Sequence, residues 1–196
     1  MGKVVDPNED DGDTEIDGGQ QSVTVEGTCV YFYADVTKDT VLKLSKCLRE
    51  ATQCALKHAH AMQEPVVFLY IHSDGGCAFS GLSAMDWIKQ NRVPVTCIAD
   101  GMVASAATFM LLAGARRCAH AHSFVLIHQL STSFYGKYAD LVDEMQNSQS
   151  LMDMIRTIYR ERTAMTSKRI KQLLKKELLM DANMCLQEGF VHEILV

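Results

Sequence analysis

From about residue 27 onward, two spacings of apolar positions alternate along the chain. Cys29 to Val36 is rich in aromatic and β-branched residues and reads as a first strand. From Thr37 to about Met62, Val41, Leu44, Leu48, Ala51, Ala55 and Ala59 recur at helical spacing, with Thr37 or Asp39 as the N-cap. Val66 to His72 is a near-continuous apolar run of the kind a buried parallel strand needs, and Phe79 to Gln90 follows as a helix carrying Leu82, Met85, Trp87 and Ile88. The same order returns with a strand at Val93 to Ala99 and a helix from Thr108 closing on Gly114. A short strand is predicted at Phe124 to Ile127, then a helix from Lys137 to about Thr163, the longest helical pattern in the chain. A helix at Lys168 to Lys176, a short one ending at Gly189 and a small strand within Phe190 to Val196 complete the reading. Strand followed by helix, repeated, predicts an α/β fold with a mainly parallel sheet.

Composition and charge divide the chain in two. Residues 1–22 carry seven acids against Lys3, a net of −6, so the overall −5 leaves the other 174 residues at +1. The acidity therefore belongs to a Gly- and Asp-rich tail over residues 1–26, expected to be disordered, and a folded domain is expected over 27–196. Near-neutral charge in the domain, with no basic patch, argues against a nucleic-acid partner. No run approaches the roughly 18 apolar residues of a membrane span, and the first residues lack the apolar region of a secretory signal. Seven scattered cysteines without a CxxC pair suit reduced thiols and a cytoplasmic compartment.

Candidate chemistry gathers where strands end. Gly101-Met102-Val103-Ala104-Ser105-Ala106-Ala107 puts one hydroxyl among residues with almost no side chain, between a strand and a helix. That is the arrangement of a nucleophile elbow, whose helix start offers bare N–H groups to an oxyanion. The same small residues would also serve close packing of two backbones. Gly75 and Gly76 end the preceding strand, and His128 ends the short one after it. In a parallel sheet these strand ends share one edge, where active sites gather. Two groupings do not add up to a metal site: His58 and His60 point to different sides of a helix, and Cys118, His120 and His122 lack a further ligand pair. No metal and no cofactor is expected.

Three stretches now stand in order: Ile71-His72-Ser73-Asp74-Gly75-Gly76, the Ser105 segment, and Ile127-His128-Gln129. Together they resemble the ClpP family of self-compartmentalised serine peptidases, and the likeness extends from about Cys29 to Val196. The family's signatures are a Ser-Pro-Gly-Gly turn, a small-residue serine segment and a His-Gln-Pro segment. The resemblance implies a ClpP/crotonase-like fold of stacked ββα units with a protruding handle helix, matched here by Lys137 to Thr163. It implies Ser105 as nucleophile, His128 as base, and the backbone N–H groups of Gly76 and Ala106 as oxyanion donors. It further implies cleavage of peptides or unfolded proteins inside stacked heptameric rings or a mixed ring.

The chain departs from the family at several positions. Counting back without gaps from Gly189-Phe190-Val191, the family's catalytic Asp falls on Glu177, and Asp181 is the rival third member of the triad. Asp74 stands where the family has Pro, Leu130 where it has the Pro after His-Gln, and His192 where it usually has Asp. The resemblance implies a hexameric AAA+ unfoldase as partner, yet residues 1–28 hold no recognisable counterpart of the peptidase family's axial loop and first helix, which engage it. A structural ring subunit of little or no activity, and a crotonase-fold acyl-CoA enzyme, are the alternatives. The second lacks a place here for its usual acid/base carboxylates.

Overall fold

The computed structural model describes residues 22–59 and 64–196. It begins on a strand that the composition hides. β1 (Ser22–Glu26) runs antiparallel to β2 (Cys29–Tyr33) across a two-residue turn with Gly27 at φ +58°. The boundary expected at residue 27 therefore moves back to Ser22. Alternation within Ser22-Val23-Thr24-Val25-Glu26 buries Val23, and the ladder with β2 satisfies backbone groups that a tail would leave to water. The rest of the expected tail, 1–21, lies outside the described residues.

α1 (Lys38–Lys57) starts on a capping box in which Thr37 and Thr40 each accept the other's backbone N–H. Its Val41, Leu44, Leu48, Ala51 and Ala55 are buried, as their spacing requires. The helix ends at Lys57, short of the predicted Met62, and His60 lies outside the described residues. β3 (Val67–Ser73), α2 (Ala78–Lys89), β4 (Val95–Ala104) and α3 (Ala107–Ala113) follow. Next come β5 (Arg116–His120) and β6 (Phe124–Leu126), two strands where the sequence predicts one. α4 (Tyr138–Arg162), α5 (Ser167–Leu174), β7 (Met180–Asp181), α6 (Ala182–Gln187) and β8 (Glu193–Leu195) complete the chain.

One sheet runs β1-β2-β3-β4-β5-β8, parallel from β2 to β8. Val30, Phe32, Leu69, Ile71, Cys97 and Ala99 point from it into the core with Leu44 and Leu48 of α1 and Met110 and Leu111 of α3. On the opposite face Tyr31 and Tyr70 are only partly buried and Tyr33 and His72 are exposed. There Tyr31 stacks on Tyr70 at 5.1 Å between ring centroids and Tyr33 on His72 at 5.5 Å. β3 thus alternates buried and partly exposed positions and is not the doubly covered strand its apolar run suggests.

β4 shapes the edge that matters. Ile71 pairs with Ala99 but Ser73 with Val103, so β4 spends two extra residues around Gly101, whose φ is +81°. Beyond this irregularity β4 leaves β5 and pairs Met102, Val103 and Ala104 with β6. The bend delivers Ser105, and the short partner strand delivers His128. α4 is 25 residues long, about 38 Å at 1.5 Å per residue. Only Ile155 and Tyr159, both in its last turns, are buried.

Candidate active site

Ser105 joins β4 to α3 and is the one non-glycine residue with positive φ among those described, at +52°. A serine in the left-handed region is strained by about 1–3 kcal/mol, so its surroundings must hold it. Its N–H donates to Leu126 O at 2.9 Å, and its carbonyl accepts from Thr108 N at 3.0 Å and Thr108 Oγ1 at 2.6 Å. Strand β6 and helix α3 therefore grip the residue from both sides.

The glycine turn lies against it. Gly75 has φ +105°, and a Cβ there would stand 2.6 Å from Ser105 Cβ, so no other residue fits without displacing the serine. Gly76 is pinned to the continuation of β2: Val36 N–H donates to Gly75 O at 2.6 Å and Cys77 N–H to Val36 O at 2.9 Å. The N–H groups of Gly76 and Ala106 enter none of the hydrogen bonds among the described residues. Both residues line a cavity of about 230 Å³ together with Ser105, His128, Phe109 and Tyr159. The structure thus gathers four of the sequence-predicted residues round one cleft. Through Ala78, Leu130 and Ser131 it continues into a larger apolar groove of about 580 Å³ between α2 and α4, lined by Phe79, Leu82, Leu151 and Met154.

The histidine's partner differs from expectation. His128 is half-buried, and its Nδ1 lies 2.7 Å from the main-chain carbonyl of Gln129, where the resemblance expects a carboxylate. A carbonyl can only accept, so Nδ1 carries the proton and Nε2 is the bare nitrogen. Neither Glu177 nor Asp181 bonds to the ring. Glu177 lies in the exposed stretch between α5 and β7, beside Lys175 and Lys176, with its side chain in solvent. Asp181 is the N-cap of α6 and accepts from Met184 N at 2.7 Å. The segments nevertheless run side by side, because Gln129 N–H donates to Leu174 O at 2.9 Å, three residues before Glu177.

The other singled-out groups serve elsewhere. Asp100 accepts from Tyr33 Oη and lies 3.0 Å from His120 Nδ1. Burial alone would raise its carboxyl, but these two bonds hold it below the usual carboxylate range. Cys118 is buried, His122 is exposed in the turn after β5, and among the described residues no three His, Cys, Asp or Glu gather as for a metal ion. Sequence reasoning missed Tyr159, whose hydroxyl lies 2.8 Å from Thr108 Oγ1. The pair is 51 residues apart, and the only local signal is a Thr three positions after the serine.

Comparison with known proteins gives a consistent outline. The Clp protease family model matches residues 34–196. The chain is 32% identical over 126 residues to an ATP-dependent Clp protease proteolytic subunit of Pleurastrum terricola, covering 63% of this chain and 64% of that one. It is 29% identical over 136 residues to the protein of the same description from Chlorella vulgaris, covering 68% of each. The matched stretch thus spans about two-thirds of these relatives' length. The fold resembles that of a ClpP1 point mutant from Listeria monocytogenes, with a TM-score of 0.74 at 20% identity over 86% of this chain and 91% of the other.

Proposed function

Because the chain belongs to the Clp protease family, we propose that it is a serine endopeptidase that hydrolyses peptides or unfolded proteins within an oligomeric ring. The observation that carries this reading is Ser105 held at positive φ on a strand-to-helix turn, in one cleft with His128 and two unengaged N–H groups. Nε2 of His128 takes the hydroxyl proton as Ser105 Oγ attacks the scissile carbonyl. The developing oxyanion accepts from Gly76 N–H and Ala106 N–H, each such donor being worth about 3–4 kcal/mol in the transition state. The imidazolium then gives its proton to the leaving amine, and water, deprotonated by the same nitrogen, releases the acyl group. Glu177 is the carboxylate that would turn inward to steady the imidazolium; its closeness in the chain to Leu174, which Gln129 grips, supports this. Apolar side chains exposed on α4 support assembly, and seven free thiols support a reducing, cytoplasmic setting.

A second reading, a ring subunit of little or no activity, is favoured by one observation: His128 faces a neutral carbonyl and no carboxylate. Labelling with a fluorophosphonate decides between them. Modification at Ser105 that vanishes in Ser105→Ala and falls at least about 100-fold in His128→Ala is the outcome expected of the peptidase. An assembled protein that takes up no label is the outcome expected of the inactive subunit.

A further inference from the structure

Tyr159 is buried under the nucleophile and has no part in the chemistry above. Its ring is held between Phe109 of α3, at 6.1 Å between centroids, and Phe190, at 6.0 Å. Among the described residues its hydroxyl meets only Thr108 Oγ1, at 2.8 Å, and Thr108 Oγ1 lies 2.6 Å from the carbonyl of Ser105. The hydrogens on this line can run only one way. Thr108 has a single hydroxyl proton, and Ser105 O can only accept, so that proton goes to Ser105. Tyr159 must then donate to Thr108, and were the order reversed its own proton would be buried without an acceptor.

One turn further along α4, Arg162 donates from Nε to Leu112 O at 2.9 Å and from Nη2 to Gly114 O at 3.3 Å. Those carbonyls end α3, while Thr108 begins it. The last turn of α4 therefore grips the helix that follows the serine at both ends, and Tyr159 is the grip nearest Ser105. Burial pushes its hydroxyl far above the ordinary tyrosine range, so it stays a neutral donor.

We propose that Tyr159 is a positioning residue for Ser105: through Thr108 it holds the serine carbonyl, and so the left-handed backbone that aims Oγ into the cleft, in register with α4. The inference rests on Ser105 being the nucleophile. Its consequence is that a shift of α4, whose first half is exposed, reaches the hydroxyl through two hydrogen bonds.

The experiment compares Tyr159→Phe, Thr108→Val, Thr108→Ser and the double variant Tyr159→Phe/Thr108→Val with the full-length wild type. Peptide-hydrolysis kinetics, fluorophosphonate labelling rates and melting temperatures are read together. Tyr159→Phe keeps the ring between its neighbours and removes only the donor. Its kcat and labelling rate are expected to fall about tenfold with KM within about twofold. Thr108→Val should fall at least as far and Thr108→Ser should recover most of the rate. The double variant should be no slower than Thr108→Val, because both changes cut one line. Wild-type kcat and labelling rate in folded Tyr159→Phe, or effects that simply multiply in the double variant, would overturn the inference while leaving the peptidase reading intact. If Tyr159→Phe fails to fold, Thr108→Val against Thr108→Ser carries the same decision. Wild-type protein that does not label at Ser105 removes the underlying reading and the inference with it.

Discussion

His128 makes the clearest demand at the scale of single residues. A Ser–His pair needs Nδ1 protonated and the ring held, and Gln129 O meets the first need at 2.7 Å. What a neutral carbonyl does not provide is compensation for the positive charge that the ring would acquire in the proposed attack by Ser105. A carboxylate provides it. Glu177→Gln is therefore expected to lower kcat/KM by about 10² to 10⁴, as measured by peptide hydrolysis. Asp181 is already committed to Met184 N–H as a helix cap, a role Asn fills equally well. Asp181→Asn should thus leave both turnover and stability near wild type. If the two variants behave the other way round, Asp181 is the third member. The sequence named both carboxylates, and in the fold Asp181 is engaged as a cap by Met184 N–H, a contact only three residues long, while Glu177 is exposed.

Among the described elements, β8 is attached beside a titrating side chain, His192. It lies beside β5, where His192 N–H donates to Arg117 O at 2.8 Å. Arg117 N–H in turn faces His192 Nδ1 at 3.2 Å, and Arg117 Nη2 faces Nε2 at 2.7 Å. A neutral imidazole has one bare nitrogen, so only one of these contacts can be a hydrogen bond. Among the described residues Arg117 Nε is buried without a partner, and Arg162 O accepts from Nη1 at 2.5 Å. Burial and the nearby Arg117, Arg162 and Arg116 lower the His192 pKa below its ordinary 6.5. The unfolded chain then takes up the proton first as pH falls, so the stability is full above the ordinary histidine range and is lost below it. Thermal unfolding should show wild type losing more melting temperature between pH 7.5 and about 5.5 than His192→Gln does. His192→Asp, which sets an anion beside Arg117 and near Arg162 and Arg116, should melt higher than wild type at pH 7. Equal acid slopes for wild type and His192→Gln would show that β8 does not depend on this proton.

For the molecule as a whole, α4 raises the question of what covers it. Tyr138, Leu141, Val142 and Met145 are 83%, 44%, 47% and 76% exposed at i, i+3, i+4 and i+7, an apolar stripe on the first half of the helix whose last turns bury Ile155 and Tyr159. Solution mass is expected at a multiple of 21.8 kDa, and Leu141→Lys/Met145→Lys should return it to that of a single chain. A wild-type monomer at micromolar concentration would remove the ring from the proposed function. Much of the architecture was legible beforehand, because strand and helix periods are local: α1, α2, α4 and the strands β2 to β4 lie close to where apolar spacing puts them. β1 was hidden because seven acids in the preceding residues mask a five-residue alternation that matters only once β2 pairs with it. Residue types and their order along the chain determined the α/β class, the strand-end placement of Ser105 and His128, and the glycines that turn beside them. Tertiary structure alone decided that β4 bends at Gly101 to part from β5, that Nδ1 of His128 meets a carbonyl, and that Tyr159 reaches the serine through Thr108. These contacts depend on distances across the fold, down to whether one side chain ends within about 3 Å of another, and sequence spacing carries no record of them.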